Sequence, residues 1–381
     1  VRGIIVFVLF VMIFALSSAK AEDLSLLYNE FRVPTYEVRN LSVSGREIFY
    51  AYKMGDHYMV SSHPSVSIYW VKQTPKLNWW LDEGAFLGVH KSENADLETE
   101  YGNHLHAAGR VYLTSYQGVF VKARIYTRYH NDWDDYVSLR AGLGVGRVTE
   151  VTSVARAIAA SREVFSASTG ELSKEAIKDV AEMIDKRRAY VEDFRDEWES
   201  RFYGDLGELL ESYGASELSF AQALKLREVM FSPVYRISPK LIGWEFAVEY
   251  ENSLTYDGAF RRSRGWLLTN FQYARPMALN QQFRASLYLS LPLGQMDLRS
   301  EGQVSYTIDH SYNWTSYART GLRLKAPVGE TASHHYEISL GTYRGMSTDL
   351  WVHGGASVSK EEFWTESVEL EAHLGFTYYI F

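Results

Sequence analysis

Over most of its length the chain alternates apolar and polar residues one for one. Leu287, Leu289, Leu291 and Leu293 are interleaved with Ser286, Tyr288, Ser290 and Pro292. Val119, Val121, Ala123, Ile125, Thr127 and Tyr129 alternate with Phe120, Lys122, Arg124, Tyr126, Arg128 and His130. Near the end, Val368, Leu370, Ala372, Leu374, Phe376, Tyr378 and Ile380 share one parity, with Glu369, Glu371 and His373 on the other. A period of two is that of a strand whose two faces meet different surroundings. It predicts six strands at about 44–54, 63–73, 77–90, 103–115, 118–130 and 135–147. Eight more follow at about 240–252, 264–275, 281–293, 298–309, 316–326, 334–344, 348–358 and 365–381. The expected total is about 14, with 12–16 spanned by the fusion or loss of a pair.

Between the two β blocks, 44–149 and 233–381, residues 150–232 change to a helical period. Ser173 is placed to cap a helix on which Ile177, Val180, Ile184, Val191, Phe194, Trp198 and Phe202 recur at three, four or seven. A helix over about 153–168 precedes it, and one over about 219–230 stops before Pro233. The segment carries 17 acidic and 11 basic residues, which reads first as solvated helix faces.

The predicted strands are about twice the usual globular length. They are joined by short turns, and nine of the ten tryptophans lie outside the helical segment, several near strand ends. Lipid supplies no hydrogen-bond partners, so a sheet that crosses it must close on itself. The fold class expected is therefore an all-β transmembrane antiparallel barrel with an inserted α-helical domain. The N-terminus agrees: Arg2, the apolar run Ile4–Leu16 and Ala19-Lys20-Ala21 before Glu22 have the form of a secretory signal peptide over 1–21. Residues 22–43 then form an N-terminal segment ahead of the barrel, lying in the periplasm or plugging the lumen.

Composition narrows the function. The 381 residues include no cysteine, which removes disulfides, thiol catalysis and cysteine zinc sites. A net charge of −8 disfavours nucleic acid as a partner. Gly142, Gly144 and Gly146 miss the G-x-G-x-x-G spacing of a nucleotide loop and read as small residues on a strand face. The pairs His104/His106 and His334/His335 have no third ligand at metal spacing. Neither a catalytic constellation nor a cofactor or metal site is expected.

With these features the chain resembles the outer-membrane β-barrel proteins of Gram-negative bacteria, over both β blocks. The sharpest element is the terminal Thr377-Tyr378-Tyr379-Ile380-Phe381, because the family ends on a strand with a C-terminal Phe and an aromatic two residues before it. The resemblance implies an outer-membrane location with lipid around the barrel, and recognition of Tyr379 and Phe381 by the barrel-assembly machinery. Tyr379 and Phe381 share parity with Glu369 and Glu371, so either a bulge shifts the register within that strand or the terminal signal is weaker than its last residue implies.

Polar parity supplies the candidate lumen residues: Lys122, Arg124, Arg128, Arg140, Arg319, Arg323 and Lys325 against Glu245, Glu249, Glu251, Glu369 and Glu371. Two arrangements are open. The charges pair across neighbouring strands, Arg140 with a glutamate of the seventh, or they line a wet pore that filters solutes. The first function expected is a porin-like passive channel for small hydrophilic solutes. The alternative is a barrel that anchors the 150–232 insert, which docks a periplasmic partner or the cell wall. A hydrolase comes third. Strand parity counted from both ends puts the insert in the periplasm, with the short turns.

Overall fold

The chain is described by a computed structural model. It describes residues 28, 31, 36–54, 57–92, 98–113, 118–130, 135–165, 170–215, 219–231, 238–256, 260–262, 265–293, 298–311, 314–326, 333–345, 350–361 and 368–378. The expected signal peptide, Tyr379 and Phe381 lie outside the described residues.

Alternation produces six long strands in the first block: β1 (Tyr36–Met54), β2 (His57–Gln73), β3 (Leu77–Ser92), β4 (Glu98–Tyr112), β5 (Val119–His130) and β6 (Asp135–Glu150). The second block holds β7 (Leu241–Tyr256), a three-residue β8 (Phe260–Arg262), β9 (Trp266–Ala278), β10 (Gln281–Pro292), β11 (Leu298–Ser311), β12 (Trp314–Ala326), β13 (Ser333–Gly345), β14 (Leu350–Glu361) and β15 (Val368–Tyr378). Every strand except β8 pairs antiparallel with its sequence neighbours in one continuous sheet, and β8 pairs only β7. The main path therefore has fourteen strands. β1 starts at Tyr36, so the segment expected to precede the barrel gives its last residues to the sheet.

Because strand direction alternates, the start of β1, the end of β6, the start of β7 and the end of β15 lie at one end of the sheet. That end also carries the tight turns at Thr74–Leu77 and Leu279–Asn280. Thr74 closes the first of these, its Oγ1 accepting from Leu77 N at 2.8 Å.

The insert consists of α1 (Thr152–Ala160) continued by a π-helical turn (Ser161–Phe165), α2 (Lys174–Phe194), a 3-10 turn (Arg195–Glu197), α3 (Trp198–Ser212) and α4 (Phe220–Phe231). Ser173 caps α2 as expected, Oγ accepting from Ala176 N at 3.1 Å. The expected unbroken helical stripe through Phe194 and Trp198 does break. Arg195 sits at φ 46°, and Val191 and Phe194 are exposed. The insert has its own core, with Val154, Ile158, Val180, Phe202, Leu206, Leu226 and Met230 buried. Tyr28 and Phe31 from the N-terminal segment are buried in the same cluster.

A polar knot ties the insert to the sheet. Buried Lys240, just ahead of β7, reaches Asp309 of β11 at 2.9 Å. Asp309 also accepts from Ser238 Oγ at 2.7 Å and Thr315 Oγ1 at 2.9 Å. Val151 N donates to Lys240 O at 2.8 Å, and Lys240 N donates to Thr152 Oγ1 at 3.0 Å. Each polar group buried here has a partner, which is what makes burial of the charges tolerable.

Candidate functional site

The two faces of the sheet differ in the reverse of the soluble pattern. In β6, Leu139 and Leu143 are 54% and 60% exposed, with Ala141 and Val145 also exposed. In β7, Trp244, Phe246, Val248 and Tyr250 are exposed, while Glu245 and Glu249 between them are only 5% and 6% exposed. In β7 apolar residues thus point to the open side, and the glutamates between them are enclosed.

The enclosed face is concave. Arg110 of β4 grips Glu245 of β7 with two hydrogen bonds, 2.5 Å and 2.8 Å. Three strand spacings amount to about 14 Å on a flat sheet, a gap the pair spans only because the sheet rolls toward the charged side. Lys122 of β5 likewise reaches Glu249 of β7 at 2.7 Å, across β6. The residue between them on that rung is Gly142. A Cβ there would collide with the Val248 carbonyl and with Glu249 Cγ. One rung on, Gly144 makes room for the buried Phe120 ring, over which the Arg110 guanidinium lies at 4.6 Å. The glycine series read as small strand residues therefore leaves the space in which cations cross a strand to reach β7.

Arg140 and Glu251 are direct neighbours and pair at 2.5 Å, with Ser138 Oγ donating to Glu251 at 2.7 Å. This is the strand-seven pairing foreseen for Arg140. Arg124 stands beside Arg140 on the same rung, and Arg128 stands between His104 and Tyr136. Arg323 lies 3.5 Å from Glu301 of β11. For Glu369 and Glu371 only the backbone is described. They are in register with Ser359 and Ser357, on the ladder positions that continue the charged series. Arg319 is in register with Ser305, and Arg284 with the same serine from the other side.

Sequence reasoning did not single out Arg110, Arg284, Glu301 or Asp82. All four have the enclosed parity, so the signal existed, but their roles depend on curvature. His104 Nε2 lies 3.9 Å from Asp82. The His106 ring packs on Trp80 at 4.1 Å and on Tyr126 at 5.7 Å, an aromatic role.

Water-sized space remains inside the roll. One cavity of about 310 Å³ lies between Asn78 and Trp80 of β3, Lys122 and Arg140 on the near strands, and Asn270 and Tyr288 of β9 and β10. A second, about 360 Å³, is lined by Glu251, Arg299, Glu301, Arg323 and Lys325. Charged side chains contribute to both walls, with amides in the first and with Trp266, Leu268 and Leu324 adding apolar surface to the second.

No protein-family model matches the chain, and no curated protein matches it. Among solved structures, OpdQ of Pseudomonas aeruginosa aligns at 9% identity over 91% of this chain and 97% of its own, with a TM-score of 0.31. The outer membrane protein OprD of Pseudomonas aeruginosa aligns at 6% identity over 95% of each chain, with a TM-score of 0.31. A bacterial polysaccharide outer membrane secretin aligns at 8% identity over 90% of this chain and 98% of its own, with a TM-score of 0.33.

Proposed function

We propose that the chain is an outer-membrane β-barrel acting as a passive, porin-like channel for small hydrophilic solutes. The observation that carries this is the exposure of Leu139, Leu143, Phe246 and Val248 on the convex face while Lys122, Arg140, Glu245 and Glu249 are enclosed on the other. In water such a face would be a large uncovered apolar patch. In a bilayer it is the required outer surface, and the charges line a wet interior.

The strand number permits closure. With fourteen strands on the path, the two edges β1 and β15 run in opposite directions, so they can pair as every other neighbour does. In the proposed orientation, the end with the start of β1, the end of β15, the tight turns and the insert faces the periplasm. The channel is passive: it binds no cofactor and catalyses no reaction.

A second reading draws on α4. Phe220 is 80% exposed and Leu224 stands one turn along on the same side. In that reading the barrel anchors an insert that docks an envelope partner or the cell wall.

Planar bilayers separate the two. The purified full-length protein, folded in detergent and resistant to unfolding in unboiled gels, is expected to give steady open-channel current steps. A heat-modifiable protein that never conducts would remove the channel and leave the anchor.

A further inference from the structure

Not all charges on the lumen parity are matched. Arg110, Lys122, Arg140 and Arg323 each have a glutamate partner. Arg284 and Arg319 have none: among the described residues no carboxylate lies within ion-pair distance of either guanidinium. Arg284 gives one N–H to Pro239 O at 2.8 Å. Among the described residues Arg319 has the edge of a ring contact, 5.9 Å from the Tyr317 centroid.

These two arginines share one place. Ser305 of β11 is in register with Arg284 of β10 on one side and Arg319 of β12 on the other. On the adjacent rung, Ser286 of β10 stands between Gln272 of β9 and Gln303 of β11. Arginine–serine–arginine thus lies over glutamine–serine–glutamine, and all six residues line a cavity of about 250 Å³ near the insert end of the roll. Beyond Gln303 the second rung continues with Gly321, whose Cβ position is open, and then Glu337, which is not part of the cavity wall.

Two guanidinium groups facing one cavity repel each other, and neither has an ion-pair partner among the described residues, although Arg319 is exposed and Glu150 attracts Arg284 from further off. Arginine's planar fork matches a carboxylate or phosphate with two parallel hydrogen bonds. The amides and hydroxyls of the second rung add donors and acceptors for neighbouring hydroxyls or water. A cavity of this size sits at the small end of ligand sites, which suits one anionic group with its immediate substituents.

We infer that Arg284 and Arg319 form an anion-binding station in the lumen, through which small solutes bearing a carboxylate or phosphate pass. The station rests on the channel reading for its role in transport, but its binding chemistry is measurable without current. The oxyanion supplies the negative charge that Arg110, Lys122, Arg140 and Arg323 receive from Glu245, Glu249, Glu251 and Glu301.

The test uses full-length protein folded in detergent, with inorganic phosphate as the probe and phosphorus NMR line broadening as the readout. Phosphate is expected to bind, and Arg319→Gln to weaken binding about tenfold, the effect of losing one charged hydrogen-bond donor. Arg323→Gln, which removes a cation already paired with Glu301, is expected to leave binding unchanged. Arg319 is the preferred variant because Arg284 also holds the Pro239 carbonyl. Competition by acetate tells whether a carboxylate occupies the same place, while its failure to compete restricts the station to phosphate. Absence of binding to the wild type, or equal binding by wild type and Arg319→Gln, overturns the station. In parallel bilayer recordings, phosphate is expected to interrupt the wild-type current. Currents that phosphate leaves untouched, together with no NMR binding, remove the station and keep the channel. Binding without any current removes the channel and keeps the station.

Discussion

Leu143 and Gly142 are adjacent in β6 and face opposite surroundings. Leu143 looks outward with nothing over it, and Gly142 lies beneath the Lys122–Glu249 pair. Parity alone separates such neighbours, which is why the enclosed set of Lys122, Arg140, Glu245, Glu249 and Glu251 was legible in the sequence. What each one touches was not. Arg110 meets Glu245 three strands away, and that contact depends on curvature and on the absent side chains of Gly142, Gly144 and Gly146. The outward assignment has a measurable cost. Leu143→Arg is expected to destabilise the barrel folded into lipid vesicles by about 2–4 kcal/mol if the site is near the midplane. Arg124→Gln, on the enclosed parity, should shift the same denaturant titration by much less. Equal losses would contradict the two faces.

Among the elements, the strands were easier to read than the helices. A period of two persists as long as each face keeps its surroundings, and the predicted strand limits fall within a few residues of those found over most of the sheet. β1 extends further back than its alternation suggested, since Tyr36–Val43 pair with the regularly alternating β2. The helical insert was recognisable, but the stop at Arg195 was not, because Asp196 and Glu197 continue a solvated pattern that any helix could carry. The participation of Tyr28 and Phe31 in its core was equally hidden, being a contact across more than a hundred residues.

The insert also carries the clearest pH response. Burial raises the Asp185 carboxyl to about 7, with Glu150 and Glu182 adding to the rise and Arg156 opposing it. The native insert therefore holds this proton up to about pH 7, whereas the unfolded chain releases it near pH 4. Stability from this group is complete below about pH 4, declines as pH rises toward 7 and is level above that. Asp185→Asn is expected to flatten the decline and to raise the melting temperature at pH 8 relative to wild type. The helical circular-dichroism signal of the full-length protein in detergent reads this out. A wild-type melting temperature constant between pH 4 and 7 would refute it.

At the scale of the whole molecule, the strand path puts the start of β1, the end of β15 and the junctions of the insert at one end, and the proposed channel makes that end periplasmic. Glu192 is exposed on α2, and the chain has no cysteine of its own. Glu192→Cys is expected to resist a membrane-impermeant maleimide on intact cells and to react once the outer membrane is permeabilised. Labelling of intact cells would place the insert outside and reverse the orientation.

The Lys122–Glu249 and Arg140–Glu251 pairs bear on how such a sheet finds its alignment. β7 has to locate β6 after the interruption from Val151 to Lys240, so the hairpin turn that aligns other neighbouring strands is absent at this seam. A slip of one residue would turn Glu245, Glu249 and Glu251 together into hydrocarbon. Each misplaced carboxylate would then stand in lipid without a cation, while Arg110, Lys122 and Arg140 lost their counter-ions on the other side. The glutamates of β7 would thus act as a proofreading code at a junction whose alignment chain connectivity does not dictate.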